Sequence, residues 1–336
     1  MPKSKYSTSK SARSTPRRMA NKMTISKAPA QRFTASDFHL HYRPAKCDLR
    51  LFLHSRGEPE DAASPYDEVI KILGQRHEKA HLVTFDTVVD ISSVDQSNKE
   101  ARTQAAIAES AGVIYQPFFR SRLTLLGEPC DVVGQPDFLI SSTAGYIIRD
   151  VKLARRINEK DHPEIIRQLQ LYAWLFEQTT GNSAAALQVL SGTGELVPID
   201  PADPAQLLAD MEAMVSIRRA DSEPYSPVGW SKCGNCVFNS RCWLEAERTG
   251  DVAMVAGVDQ GLALELRSAG TTTAKDLVAN FDANRLSELQ RPWGTKRQRV
   301  GKSAASILTM AQAMIDRTEI LLERTDLPGG NNCIFA

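Results

Sequence analysis

The spacing of apolar residues changes several times along this chain, and each change predicts a different element. Over residues 66–82, Val69, Ile70, Leu73 and His77 recur at intervals of three and four, which predicts a helix with one inward face. A second helix is predicted over 99–111. From Val113 the pattern becomes extended: 113–126, 131–140 and 146–153 read as strands, parted by turns at Gly127-Glu128-Pro129 and Ser141-Ser142-Thr143-Ala144-Gly145. Asp161-His162-Pro163-Glu164 predicts a helix start, with Asp161 as cap, Pro163 in the first turn and Glu164 at capping-box spacing. Ile165, Leu169, Tyr172 and Phe176 form the inward stripe of that helix, which ends near Gly181. A strand over 184–190 and a helix over 203–219 follow. The order helix, three strands, helix, strand predicts a small α/β core.

The flanks read differently. Residues 1–30 are rich in Ser, Lys and Arg with few large apolar residues, which predicts disorder. Three readings of this tail stay open: a basic arm for nucleic acid, a targeting peptide, or leader ahead of a later start at Met19 or Met23. Folded structure is expected from Phe33-Thr34-Ala35-Ser36-Asp37-Phe38, with Ser36 or Asp37 capping a short helix. Residues 252–322 read as helical, with turns at Gly270 and Pro292-Trp293-Gly294, and no repeat of 20–50 residues is present.

Length and charge narrow the function. A chain of 336 residues can hold two domains. No apolar run approaches the roughly 20 residues that span a bilayer, so a membrane partner is not expected. Net charge is +1; removing the eight Lys and Arg of residues 1–30, where no acid stands, leaves −7 on the rest. A surface for phosphates on the body must therefore be a local patch. Six cysteines, three of them clustered, suit a reducing cytoplasm better than a secreted disulfide framework.

Two groups of residues carry chemistry. Asp137 closes Gly134-Gln135-Pro136-Asp137, and Asp150 and Lys152 stand two apart on the next strand, so their side chains share a face. Two carboxylates that converge can hold a hard divalent cation, and a lysine beside it can orient or deprotonate a water. An isolated Asp-x-Lys is usually surface decoration; here Tyr146-Ile147-Ile148 runs straight into the acid, and its partner follows a Gly and a Pro. His77 is the expected further ligand and Glu78 its alternative. Gln168 and Tyr172, one helical turn apart, are expected to contact a DNA backbone or brace Lys152, with Tyr172 also packing in the core. Gly301-Lys302-Ser303 is a decoy for a nucleotide loop, since Lys296 stands where that motif needs Gly.

The second group is Cys47 with Cys233, Cys236 and Cys242, a remote cysteine plus a C-x2-C-x5-C run. The spacing suits a cubane on four thiolates; zinc is the alternative. Its expected role is structural, a clasp from the start of the core to its end. Cys130 and Cys333 are expected to be ordinary buried or free thiols.

Taken together, Cys47, Gly74-Gln75-Arg76-His77-Glu78, Gly134-Gln135-Pro136-Asp137, Asp150-Val151-Lys152, Gln168-x3-Tyr172 and the three late cysteines resemble a RecB-type member of the PD-(D/E)XK nuclease superfamily, and in particular its iron–sulfur branch. The resemblance implies a restriction-endonuclease-like core over 33–247 and a Mg2+- or Mn2+-dependent nuclease acting on DNA, single-stranded or at ends, as in DNA repair. It implies His77, Asp137 and Asp150 as metal ligands, Lys152 as catalyst, and a [4Fe–4S] cluster on the four cysteines. Asp150 departs modestly from the pattern, since Glu is also common there. Residues 252–325 resemble, loosely, a helix-hairpin-helix segment. In similar bacterial proteins a ribonuclease H-like domain follows, and 326–336 look like its truncated start. A separate ribonuclease H-like or helicase partner is one expectation that follows. An inactive DNA-binding or assembly module of a split nuclease is the alternative reading, and a redox sensor built on the cluster is a third.

Overall fold

The computed structural model describes residues 32–294 and 296–320. The basic tail, Cys333 and the expected truncated start of a further domain at 326–336 lie outside the described residues.

The chain enters through β1 (Arg32–Thr34) and α1 (Ala35–Tyr42). Thr34 is the cap of α1, in a reciprocal box with Asp37; Ser36 does not serve, because it is already inside the helix. α2 (Asp48–Ser55) starts directly after Cys47. α3 (Pro65–Leu82) begins at a Ser64–Asp67 capping box and keeps its predicted span. Its expected burial fails, however: no residue of α3 is buried, and Tyr66, Val69, Ile70, Ile72 and Leu73 are all exposed. Periodicity marks an apolar face without saying that anything covers it. After β2 (Val89–Asp90), α4 (Lys99–Ala108) stops three residues early, where Ser110 turns to φ +58°.

The next two predicted strands are each two strands. β3 (Val113–Tyr115) and β4 (Phe119–Leu125) part at Gln116, which adopts φ +51°. β5 (Glu128–Gly134) and β6 (Phe138–Ser142) part at Gln135-Pro136-Asp137. The halves serve different sheets, β4 pairing with β5 in one and β3 with β6 in the other. The two breaks lie side by side: Gln116 N–H donates to the Asp137 carbonyl at 2.7 Å, and Gln135 Nε2 donates to the Gln116 carbonyl at 3.2 Å. The mark at both breaks is a Gln-Pro step, Gln116-Pro117 and Gln135-Pro136, since Pro cannot donate to a strand ladder.

β7 (Gly145–Val151), α5 (Pro163–Thr180), β8 (Ala186–Leu190), β9 (Leu196–Ile199) and α6 (Pro204–Arg219) complete the α/β core. One sheet has the order β2-β3-β6-β7-β8-β9 and the other β1-β5-β4. β7 and β8 are parallel, so the chain must cross over between them, and α5 is that crossover. Ile165, Leu169, Tyr172 and Phe176 are buried as their stripe predicts. The start of α5 differs from expectation. His162, not Asp161, is the N-cap, and no side chain caps the helix. Asp161 accepts from Asn158 Nδ2 instead, and Glu164 is turned to another use described below.

Beyond α6 come α7 (Trp230–Cys233) and α8 (Asn239–Thr249), then α9 (Gln260–Ser268), α10 (Ala274–Asn280), α11 (Ala283–Glu288), β10 (Gln290–Trp293), β11 (Lys296–Arg299) and α12 (Ala304–Asp316). The segment expected to be all helical thus contains a β-hairpin with its turn at Gly294. The helices gather their own core, including Val252, Leu262, Leu266, Leu277, Leu286, Ile307 and Ala311. No described helix is long and apolar enough to cross a membrane.

Candidate active site

The seam where the strands change sheet is also where the carboxylates meet. β6 and β7 are antiparallel with Phe138 opposite Arg149, so Asp137 and Asp150 stand one step beyond that pair. Asp137 N–H donates to Asp150 Oδ1 at 3.2 Å, and Val151 N–H donates to Asp137 Oδ2 at 2.7 Å. The backbone therefore holds both side chains in place. Asp150 is 1% exposed, and its Oδ2 accepts no hydrogen bond of ordinary geometry; the Lys152 ammonium faces it at 2.6 Å. Lys152 is fixed in turn by its N–H, which donates to the Leu190 carbonyl of β8 at 2.9 Å.

The electrostatics follow from this crowding. Burial first, and then the Asp150 carboxylate, hold Asp137 well above the usual carboxylate range. Burial alone would lower Lys152, but Asp150 and Asp137 outweigh it and the ammonium is held above its ordinary value. Two carboxylates with one lysine between them leave uncompensated negative charge, which suits a divalent cation.

Of the other predicted residues, Glu78 is close enough for its charge to act on Asp137. Its Oε1 accepts from Tyr115 Oη at 2.7 Å and Gln116 Nε2 at 2.9 Å, and its charge adds to the upward push on Asp137. His77 Nε2 donates to the Ser191 carbonyl at 2.9 Å, so that ring nitrogen is already committed. Gln168 Nε2 donates to Tyr172 Oη at 3.0 Å, and Gln168 lines the same groove as Lys152. The Tyr172 ring packs so closely on Gly134 that a Cβ there would meet it at 2.8 Å and Leu175 at 2.7 Å. That is why Gly opens the turn leading to Asp137. Among the described residues no group of three or more His, Cys, Asp or Glu is arranged to hold a metal ion. A Mg2+-like ion does not need one, since it commonly keeps its waters and takes one or two carboxylates. Asp150 Oδ2, buried and facing only Lys152, is the oxygen that such an ion would share with the ammonium.

The four cysteines of the second group line one cavity together with Arg50 and Phe238. All four are free thiols. Cys47 precedes α2, Cys233 ends α7, and Cys242 lies in the first turn of α8. Cys47 Sγ is 3.2 Å from Ser226 Oγ. Arg50, buried beside Leu51, Phe52 and Leu53 in α2, donates to the His41 and Ala45 carbonyls at 2.9 and 2.7 Å and points Nη1 at Cys236 Sγ from 3.9 Å. Burial, with help from the Cys236 and Cys47 thiols, pushes Cys242 up to about 12. Four thiols are the donors a thiophilic metal takes, and binding one would reverse that shift, but among the described residues they are not arranged as a metal-binding group. Sequence reading missed Arg50 and Glu164; a charge set inside Leu49-Arg50-Leu51-Phe52-Leu53 was the available signal for the first.

Comparison with known proteins identifies a family. A family model described as the PD-(D/E)XK nuclease superfamily matches residues 39–243. Among solved structures, that of SSO0001 is similar at 16% identity, covering 52% of this chain and 96% of its own, with a TM-score of 0.30. One named "Putative exonuclease" from Eubacterium rectale is similar at 13% identity, covering 67% of this chain and 94% of its own, with a TM-score of 0.35. Overlaps as loose as these two carry no argument. No curated protein matches the chain.

Proposed function

This chain belongs to the PD-(D/E)XK nuclease superfamily, and from that premise we propose that it hydrolyses phosphodiester bonds of DNA, single-stranded or frayed at an end, with Asp137, Asp150 and Lys152 as the working residues. The observation that carries the proposal is the pair of carboxylates tied together by main-chain hydrogen bonds, with the Lys152 ammonium 2.6 Å from the buried oxygen of one of them. A divalent cation, Mg2+ or Mn2+, would supply charge against the phosphoryl oxygen and a water of lowered pKa. Asp137 and Asp150 would hold it, with His77 or Glu78 reaching it directly or through water. The Lys152 ammonium orients the attacking water and offsets charge gathering on the phosphoryl oxygens. Gln168 fixes the Tyr172 hydroxyl beside these groups, and Tyr172 seals the core side of the site.

The four cysteines are proposed to carry a [4Fe–4S] cluster, with zinc as the other occupant of such a donor set. A clasp there would bind the chain before α2 to the helices after α6. The separate cores of the sheets and of the later helices support two domains, 33–247 and 252–325.

The test is cleavage of 5′- and 3′-labelled single strands with Mn2+, comparing the protein with Lys152→Ala. Equal cutting by both proteins sinks the assignment. Binding without cutting under any divalent metal would favour the non-catalytic DNA-binding reading.

A further inference from the structure

The groove that holds Lys152 and Gln168 continues away from the carboxylates, past Gly74 of α3, to His39, Arg43, His162 and Glu164. The function above uses none of these last four. Glu164 is 3% exposed in the first turn of α5. Its Oε1 accepts from His162 Nδ1 at 2.8 Å and faces Arg43 Nε at 3.5 Å, while its Oε2 is buried with no hydrogen-bond partner. A carboxylate so placed is costly unless cations compensate it. Arg43 compensates it and His162 donates to it, and both are held at the groove by it. Using Nδ1 on Glu164 leaves the Nε2 of His162 as its free nitrogen. Arg43 gives Nη1 to the Asp161 carbonyl at 3.3 Å, and Nη2 remains as the outer arm of its fork.

Arg43 brings a fixed positive charge and His162 a ring nitrogen, while Glu164 sets a negative charge beside them. That partial offset suits a singly charged phosphodiester better than a doubly charged terminal phosphate. We propose that this end of the groove seats the phosphodiester next to the one that is cut, with Arg43 and His162 as its ligands and Glu164 as the positioning residue that aims them both. The proposal rests on the hydrolytic reading of Asp137, Asp150 and Lys152.

Its test is a binding cycle with the full chain in EDTA, so that no turnover is needed. A short fluorescent single strand is used, with each phosphate in turn replaced by a neutral methylphosphonate. One position should weaken binding on the order of tenfold, the worth of a charged hydrogen bond. In Arg43→Gln that position should lose its effect, and the slope of log K against log salt should fall by about 0.7, one contact on a single strand. Glu164→Gln should raise KM for cleavage on the order of tenfold with kcat kept, whereas a merely structural role would lower the melting temperature and leave KM alone. If Arg43→Gln and every methylphosphonate act independently, the subsite is overturned. It is equally overturned if only a 5′-terminal phosphate matters. A protein that shows the cycle and yet cuts nothing with Mn2+ would keep the subsite and sink the hydrolytic reading instead. Should Glu164→Gln not fold, the Arg43 cycle decides.

Discussion

The carboxylate–lysine site and the cysteine cavity both unite distant parts of the chain, but the backbone fixes only one of them. Asp137 and Asp150 follow from a strand ladder: once Phe138 pairs with Arg149, the two acids can only be neighbours. Cys47 shares no ladder with Cys233, Cys236 and Cys242. What brings them to one cavity is packing among Phe52, Leu53 and Phe238, with Arg50 reaching across. The first site is therefore complete as protein and wants an ion for its chemistry. The second wants its ion, on the reading proposed here, for its geometry.

The sharpest way to break this contrast is to remove a working group from each side. Lys152→Ala should cost at least 100-fold in cleavage while the fold survives, since the strand ladder stays even though Asp150 loses its counter-charge. A collapse of the fold would show that the carboxylates are not held by backbone. Cys236→Ser should do the reverse. It should lose iron and brown colour near 400 nm and about 3–5 kcal/mol of stability, by analogy with cutting a long cross-link, which is roughly 10 °C of melting temperature in a chain this size. Unchanged melting would mean that the cavity clasps nothing.

Metal titration separates the two sites next. Asp137 has its folded pKa raised, so stability from its proton is present at low pH and lost as pH rises through that value. Mn2+ can take the place of the proton. Its stabilisation, about 3 kcal/mol at a hundredfold excess over Kd, should be larger at pH 8 than at pH 5, and an equal gain at both would contradict a carboxylate site. Gly134→Ala should cost about 1–3 kcal/mol through overpacking on Tyr172 and Leu175, measured by urea unfolding. The smallest effect is expected from Tyr172→Phe. It strips Gln168 of its acceptor for about 1 kcal/mol, and kcat should fall only a few-fold.

Much of this was legible in advance, and the exceptions have physical causes. The α5 stripe and the Asp150–Lys152 pair could be read because helical and strand periods fix which side chains share a face. The change of sheet at Gln116 was missed, although Pro117 breaks the run there and the pattern passes from the fully buried β3 to the alternating β4. The β10–β11 hairpin was hidden because its strands, Gln290–Trp293 and Lys296–Arg299, carry almost no apolar residues to alternate. Glu164 reads as a capping residue by spacing, and only the fold reveals that Arg43, more than a hundred residues earlier, comes to meet it. The open apolar face of α3 is the converse case, a clear pattern that no described element covers.

β1 is three residues long, yet it runs parallel to β5 at Asp131–Val133, nearly a hundred positions later. On a ribosome, Phe33 must stay without its neighbours until that second strand has been made. At about 5–20 residues per second the wait is on the order of ten seconds. Through that interval the ring that will sit fully buried against Phe38 is in the open, and a chaperone that binds apolar segments has time to find it. The first described strand of this protein is in that sense settled no earlier than the fifth.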